Sequence, residues 1–275
     1  IPILPDSSEN EVTNIINHSE SKVIFVSERL KGKINQEVMD KMTLVIDMDT
    51  FEVLHADEDK FTCDGRTSIP TPDDIATIIY TSGTTGNPKG VMLSYKNVMF
   101  NIDAVSKSVP IFKEESNVMI LLPLHHVFPL IGSLVAPLSV GSTVYIAEGM
   151  NAEAILKTLN QGRISLIIGV PRLYDMLVKG VMNKINASVV TRLLYKVVKA
   201  IGSDSLSKIV FKSVHTKFGG NIEFLVSGGA ALSHETATIL KTLGFYVLEG
   251  YGMTEAAPMI TFTRPGKRKI GYTGD

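Results

Sequence analysis

The sequence has one cysteine, almost no net charge and no long uninterrupted apolar run, and each shortage excludes a class of protein. Cys63 has no partner for an intramolecular disulfide, and no His and Cys residues follow zinc-binding spacing. A net charge of −1 over 275 residues argues against a nucleic-acid-binding protein, which usually carries a basic surface. The most apolar segment, 127–140, contains Pro129 and Pro137 and is too short to span a bilayer, so we expect a buried helical segment there.

The rest of the composition is that of a globular protein. Hydrophobic residues make up 44% and charged residues 20% of the chain, which is typical of domains with a packed core and not of disordered chains. The sequence does not open with the basic and apolar segments of a secretory signal. Together with the single cysteine, this predicts a cytoplasmic protein.

Short apolar segments alternate with amphipathic segments along most of the chain. Short apolar runs bounded by turn residues are typical of buried strands, whereas apolar residues three and four apart are typical of helices. We therefore predict an α/β fold with a central, mostly parallel β-sheet flanked by helices, and we interpret residues 47–74 as a linker. The expected strands cover residues 22–26, 43–46, 75–80, 117–122, 142–147, 164–168, 222–226 and 245–248, and the expected helices begin near residues 7, 31, 94, 152, 171 and 233.

Residues 184–219 interrupt this alternation with a long helical pattern. Apolar residues recur at helical spacing, and Lys and Arg residues occupy the intervening positions. Two interpretations remain open: a helix packed on the core with a solvated basic face, or a basic amphipathic helix that lies on an anionic membrane surface. The apolar positions are Ile185, Val189, Leu193, Val197 and Ile201.

The loop after Tyr80 has the composition of a phosphate-binding loop. Residues 81–90 read TSGTTGNPKG; the glycines let backbone N–H groups converge on phosphate oxygens, and the hydroxyls and Lys89 add donors and charge. In kinase and GTPase loops the lysine directly follows the last glycine, whereas two residues separate Gly86 from Lys89 here, which counts against a phosphotransferase. The alternative to a phosphate-binding loop is a solvent-exposed turn that only connects two strands.

Three more loops at predicted strand ends carry unusual residues, and ligands of parallel sheets bind at such ends. Residues 123–129 place two histidines in an apolar run, where a histidine satisfied within the core is the alternative. Residues 227–232 read SGGAAL, small enough for a flat ring to approach the backbone, or for a tight turn. Residues 249–255 read EGYGMTE and offer a ring for stacking, a hydroxyl for a phosphate and a carboxylate for magnesium.

Residues 80–90 resemble the signature of the AMP-binding, adenylate-forming enzymes, which include acyl-CoA synthetases, luciferases and peptide-synthetase adenylation domains. Residues 251–255 are similar to the Tyr-Gly-x-Thr-Glu motif of that family. The resemblance implies a catalytic role for His126 at the acyl carboxylate or the substrate entrance, for Thr254 at the α-phosphate, and for Glu255 as the Mg²⁺ ligand. It implies ATP binding by Thr81, Ser82, Gly83, Thr84, Thr85, Gly86, Lys89, Gly228, Gly229, Ala230, Tyr251, Gly252 and Asp275.

The resemblance further implies that residues 1–275 are part of an N-terminal AMP-binding domain whose start is missing and whose C-terminal domain is absent. In the family that C-terminal domain brings a lysine for adenylation and surfaces that position coenzyme A. We therefore expect this chain to bind ATP or an acyl-adenylate weakly and to turn over slowly or not at all. Asp275, the match for a ribose-binding aspartate, follows the Tyr-Gly-x-Thr-Glu motif after fewer residues than in the family.

The intact enzyme implied by this resemblance is an ATP-dependent carboxylate–CoA ligase that forms acyl-AMP and then acyl-CoA. The helical stretch and residues 227–255 resemble the long-chain group best, so a fatty acid is the expected substrate, with peripheral membrane contact as a further expectation. The alternatives are an aryl-acid or short-chain ligase, an amino-acid adenylation domain, and a non-catalytic nucleotide-binding fragment.

Overall fold

The computed structural model describes residues 1–60, 69–81 and 88–274. Contacts divide the chain into two compact units, Ile1–Tyr95 and Lys96–Asp275. Each unit has its own cluster of buried apolar side chains, so each can be described by itself.

The first unit begins with two helices and a three-stranded sheet that share one apolar core. Strand β1 is parallel to β2, and β2 is antiparallel to β3. The first helix begins near residue 7 as expected, and Ser8 caps it: its Oγ accepts the Glu11 N–H at 3.3 Å, and the Glu11 carboxylate accepts the Ser8 N–H at 2.7 Å. The elements are α1 (Glu9–Ser19), β1 (Val23–Val26), α2 (Gln36–Lys41), β2 (Leu44–Asp47) and β3 (Val53–Ala56).

Two expectations for this part of the chain are wrong. The helix expected over residues 31–40 is instead a 3₁₀ helix at Glu28–Lys33 followed by α2, because Asn35 caps α2 by accepting the Val38 N–H at 3.0 Å. The expected linker, 47–74, contains β3, whose backbone groups are satisfied by antiparallel pairing with β2.

A β-hairpin completes the first unit and corrects the expected place of the phosphate loop. Strand β4 (Ile75–Thr81) pairs antiparallel with β5 (Lys89–Ser94). Within the described residues these two strands form a sheet of their own. The loop after Tyr80 therefore connects hairpin strands and does not follow a strand of the parallel sheet.

The second unit contains a six-stranded sheet flanked by helices. The sheet order is β11-β10-β9-β8-β6-β7, and all neighbouring pairs are parallel except β10 and β11. This confirms the predicted α/β class with a mostly parallel sheet. The elements are α3 (Tyr95–Ser108), β6 (Asn117–Ile120), α4 (Val127–Pro129), α5 (Ala136–Ser139), β7 (Thr143–Ile146), α6 (Ala152–Gln161), β8 (Leu166–Gly169), α7 (Pro171–Asn186), α8 (Val189–Ile201), α9 (Asp204–Val210), α10 (Lys212–Lys217), β9 (Phe224–Ser227), α11 (His234–Thr242), β10 (Val247–Gly252) and β11 (Met259–Phe262).

Local signals account for most helix boundaries in this unit. Pro171 is the first residue of α7, and Ser233 caps α11 by accepting the Thr236 N–H at 3.0 Å. The segment after His126 is helical and mostly buried, as expected, with one wide turn at Leu130–Val135 between α4 and α5. Pro137 has no N–H to donate, so a regular α-helix cannot continue unbroken through this segment.

The helical stretch after α7 differs from its core-packed interpretation. The buried side chains of α8 are Tyr195 and Val198, whereas Val189, Leu193 and Val197 are exposed. The apolar stripe that the spacing reveals in α8 thus faces solvent. Among the described residues, no helix is both long and apolar enough to cross a membrane.

Candidate active site

A cavity of about 510 Å³ lies at the carboxyl ends of β6, β8, β9 and β10. Parallel strands end at the same edge of their sheet, so the loops that follow them converge there. Three of the four loops singled out in the sequence meet at this cavity. It is lined by Leu122, Pro123, His126, Val127, Phe128, Pro129, Val170, Gly228, Gly229, Gly250, Tyr251, Gly252, Met253, Thr254, Pro258, Met259 and Phe262.

The last residues of β10 and the turn after it present Tyr251 and Thr254 to the cavity. The backbone of the turn closes on itself, with the Met253 N–H donating to the Pro258 carbonyl at 2.9 Å and the Ala257 N–H to the Thr254 carbonyl at 3.2 Å. A Cβ on Gly252 would overlap the carbonyl oxygen of Pro258. Glycine at this position is therefore required for the turn to close.

The side chain of Asn101 holds this turn in place through hydrogen bonds to its backbone. Asn101 was not among the site residues predicted from the sequence. Its buried side chain on α3 donates to the carbonyls of Met259 at 2.8 Å and Ala256 at 3.1 Å, and accepts the Met259 N–H at 3.3 Å. An asparagine within a helix carries no sequence signal for contacts 155 and 158 residues away along the chain.

The Gly228–Gly229 turn lies against the side-chain ring of Phe128. A Cβ on Gly228 would come within 2.7 Å of Phe128 Cζ. Gly229 has φ +80°, which is strained for other residues. The sequence indicated that a flat ring could approach here, and the nearest ring is that of Phe128, which also lines the cavity.

His126 lies where the chain enters α4, with its side chain exposed at the cavity. Its ring centroid is 4.1 Å from that of His125. His126 therefore contributes an imidazole ring to a cavity whose other described lining residues, apart from Tyr251 and Thr254, are apolar or small.

Glu249 is a half-buried carboxyl group on β10, immediately before the cavity-lining glycine. Burial raises its pKa above the ordinary glutamate range, and the Gly271 N–H, which donates to Oε1 at 3.2 Å, opposes that rise. Glu249 was not among the predicted site residues, because its desolvation depends on the fold and not on its sequence neighbours.

The other predicted site residues lie in three different places. Ala230 and Glu255 adjoin lining residues without lining the cavity themselves, and both side chains are exposed. Thr81 and Lys89 face each other as partners in the β4–β5 hairpin of the first unit. The remaining ones lie outside the described residues: Ser82, Gly83, Thr84, Thr85, Gly86 and Asp275.

The hairpin is attached to its own unit through Tyr80. The Tyr80 hydroxyl lies 2.8 Å from Nδ1 of His18 on α1, and burial raises the pKa of Tyr80. Across the hairpin, a Cβ on Gly90 would come within 2.9 Å of Ile78 Cγ2. The strands that frame the predicted phosphate loop are thus closely packed.

The chain preceding Asp275 lies along the outer edge of the second unit's sheet. Thr261 on β11 donates through Oγ1 to Thr273 Oγ1 at 3.1 Å, and Thr263 donates to the Tyr272 carbonyl at 3.0 Å. Thr261 is in turn the strand partner of Tyr251. Residues 272–274 therefore run beside β11, the edge strand that pairs with the tyrosine's own strand, β10.

Comparison with known proteins identifies the family. The sequence profile described as AMP-binding enzyme matches residues 1–274. This chain belongs to the AMP-binding enzyme family. The AMP-binding chain is 34% identical over 217 residues to the peroxisomal long chain acyl-CoA synthetase 6 of Arabidopsis thaliana, covering 74% of this chain and 30% of that protein.

A second curated relative supports the family, and a solved structure supports the fold. The long-chain-fatty-acid–CoA ligase 1 of Schizosaccharomyces pombe is 34% identical over 210 residues, which covers 70% of this chain and 31% of that ligase. The solved structure of ATP-bound MatB from Rhodopseudomonas palustris matches 98% of this chain and 48% of its own, with a TM-score of 0.71 and 22% identity. The AMP-binding chain spans 29% to 44% of the length of the curated relatives it matches.

Proposed function

We propose that this chain is the nucleotide- and acyl-binding part of an ATP-dependent carboxylate–CoA ligase whose substrate is a long-chain fatty acid. The observation that carries the proposal is the cavity at the ends of four parallel strands, which gathers His126, Tyr251 and Thr254. The curated relatives named as long-chain acyl-CoA synthetases support the same substrate class.

The proposed reaction has two half-reactions. In the first, the carboxylate attacks the α-phosphorus of ATP, forming acyl-AMP and releasing pyrophosphate. In the second, the thiol of coenzyme A attacks the acyl carbon and AMP leaves. Charge develops on phosphate oxygens in the first step, so positioning and electrostatic stabilisation are the protein's main contributions.

Each residue role in this site is part of the proposal. Thr254 donates its hydroxyl to the α-phosphate, and Tyr251 stacks on the adenine beside Gly228, Gly229, Ala230 and Gly252. His126 contacts the acyl carboxylate at the cavity wall. Residues 81–86 and Lys89 hold the β- and γ-phosphates, and Asp275 binds the ribose.

Glu255 is the residue that would hold Mg²⁺. Its carboxylate is exposed next to cavity-lining Thr254, and the described residues contain no group of three or more His, Cys, Asp or Glu side chains that could bind a metal. This fits Mg²⁺, which usually binds through one or two carboxylates together with substrate phosphates and waters. When bound, the ion neutralises phosphate charge.

The charge of the cavity wall favours an apolar monocarboxylic acid. Among the described residues that line it, none is Lys, Arg, Asp or Glu. An amino acid would leave its ammonium group unpaired there, and a dicarboxylic acid would leave its second carboxylate unpaired, each at a large desolvation cost. Phe128, Val170 and Phe262 instead offer apolar contact to an acyl chain or an aryl ring.

An aryl-acid or short-chain ligase and a non-catalytic nucleotide-binding fragment are the remaining candidates. Their predictions differ, because an aryl ligase selects ring size and a non-catalytic fragment binds nucleotide without exchange of pyrophosphate. Cytoplasmic location stays a prediction. Membrane contact is a separate proposal that depends on the exposed face of α8.

Thermal unfolding with non-hydrolysable acyl-adenylate analogues tests the proposal. A ligand at a hundred times its Kd adds about 2.7 kcal/mol to the free energy of unfolding, which raises the Tm by roughly 5 °C in a chain of this size. We expect the Tm increase to grow from the acetyl to the palmitoyl adenylate, and Tyr251→Ala to reduce it. No increase for any adenylate contradicts an adenylate site in this chain.

A second comparison separates the metal role from the nucleotide role. Glu255→Gln should reduce the Tm increase caused by ATP with Mg²⁺, but not that caused by an acyl-adenylate without metal. Glu153→Gln, at an exposed position on α6, is the matched control and should change neither. Equal effects of the two variants contradict the assignment of Glu255.

A further inference from the structure

Helix α8 leaves one apolar face in solvent. We call this face, formed by Val189, Val190, Leu193, Leu194, Val197 and Ile201, the α8 patch. Val189 is 76%, Leu193 62% and Ile201 58% exposed. A helix that only packs on a core has no need of a second apolar face, and such patches mark interaction surfaces.

The other side of α8 is firmly attached to the core. Tyr195 and Val198 are buried, and the Tyr195 ring lies 6.3 Å from the Phe211 ring. Thr191 donates through Oγ1 to the Ile185 carbonyl at the end of α7, at 2.6 Å. The α8 patch is therefore presented on a folded helix, and docking requires no folding of this segment.

Positive charge lies along one flank of the α8 patch. Arg192, Lys196 and Lys199 occupy α8 positions between the buried side and the patch. Residues 176–222 contain eight Lys or Arg residues and one acidic residue, a net charge of +7, although the whole chain carries −1. The acidic residue, Asp204, already accepts a bidentate hydrogen bond from Arg268.

We propose that the α8 patch docks this chain on an anionic lipid bilayer. Its apolar side chains would enter the boundary between headgroups and acyl chains, and the neighbouring lysines would contact lipid phosphates and carboxylates. The inference goes beyond the proposed function, since it requires neither ATP nor any particular acid.

The positive charge near the α8 patch favours an anionic bilayer over a second copy of this chain as the partner of the patch. Two copies that met through the α8 patch would bring two segments of charge +7 together, and like charges across an interface disfavour association. An anionic bilayer instead complements that charge over the whole segment.

Cosedimentation of the chain with lipid vesicles tests the proposal. We expect binding to vesicles of phosphatidylcholine mixed with phosphatidylserine, much weaker binding to phosphatidylcholine alone, and a decrease as salt is added. Equal binding to both vesicle types, or to neither, overturns the proposal.

Two variants locate the contact. Leu193→Glu with Val197→Glu should abolish sedimentation with anionic vesicles, whereas Ile146→Glu, at a 75% exposed apolar position on β7, should leave it unchanged. Lys196→Gln with Lys199→Gln, which alters no packed side chain, should weaken binding about fivefold for each lysine. Unchanged binding in both double variants overturns the proposal, as does a concentration-dependent dimer that Leu193→Glu with Val197→Glu dissolves.

Discussion

Single residues shape the cavity through close approaches that leave no room for a side chain. Gly228 lies against the Phe128 ring, and Gly252 against the Pro258 carbonyl. Gly229 holds a left-handed backbone conformation between them in sequence. Gly228 and Gly229 were expected to let a flat ring approach the backbone, and the ring that the structure places against Gly228 is that of Phe128.

Gly228→Ala should distort the cavity by displacing Phe128. The new Cβ would lie 2.7 Å from Phe128 Cζ, and overpacking of this kind costs about 1–3 kcal/mol. We expect a lower Tm and a smaller Tm increase with acyl-adenylate analogues. Gly180→Ala, on α7, is the matched control. The new Cβ would meet no atom within 4 Å, so the higher helix propensity of alanine should raise the Tm slightly. A Gly228→Ala chain with unchanged adenylate response contradicts the cavity's role.

Glu249 gives the chain a pH dependence whose sign follows from its burial. Its pKa is raised in the folded chain, so the folded state binds more protons than the unfolded state between the two pKa values. The free energy of unfolding therefore falls as the pH rises from the glutamate pKa of the unfolded chain, about 4.3, through the raised pKa of Glu249 in the folded chain. Glu249→Gln should remove this loss. Chemical denaturation from about pH 4 to 7 should show the variant gaining stability relative to the original chain as the pH rises; a constant difference contradicts the assignment.

The pairing of strands and the packing of helices determine which parts of the chain supply the residues of the site. The parallel pairing of β6, β8, β9 and β10 brings their following loops to one cavity. The turn between β10 and β11 is held by a residue of α3, far earlier in the chain. The hairpin of β4 and β5 carries Thr81 and Lys89 in a separate sheet.

Asn101→Ala should loosen the turn after β10 while leaving α3 helical. It removes three hydrogen bonds and leaves the carbonyls of Ala256 and Met259 without their side-chain donor, a loss of about 1–3 kcal/mol. Hydrogen exchange should increase at residues 253–259 more than elsewhere. Asn183→Ala, at an exposed position on α7, should change exchange little, and an equal response of the two variants would count against Asn101 as the support of the turn.

At the scale of the whole molecule, the chain consists of two units with separate cores. Among the residues that the structure describes, those that line the cavity belong to the second unit. The first unit carries Thr81 and Lys89, which border the predicted phosphate loop.

The second unit should fold when produced alone. Residues 96–275 contain the complete six-stranded sheet and its flanking helices. We expect a single cooperative thermal transition by circular dichroism, together with a Tm increase from acyl-adenylates that is smaller than in the whole chain. The absence of a cooperative transition would show that this unit depends on the first.

The sequence by itself determined the features that depend on neighbouring residues and on a distinctive motif. The first helix near residue 7, the start of α7 at Pro171 and the α/β alternation follow from local propensity and spacing, and the family follows from residues 80–90 and 251–255. Only the tertiary structure decided which face of α8 is buried, that β4 pairs with β5, and that Asn101 and Phe128 shape the cavity. Periodicity reveals an apolar stripe but not what covers it, and contacts between distant parts of the chain exist only once the strands and helices have packed.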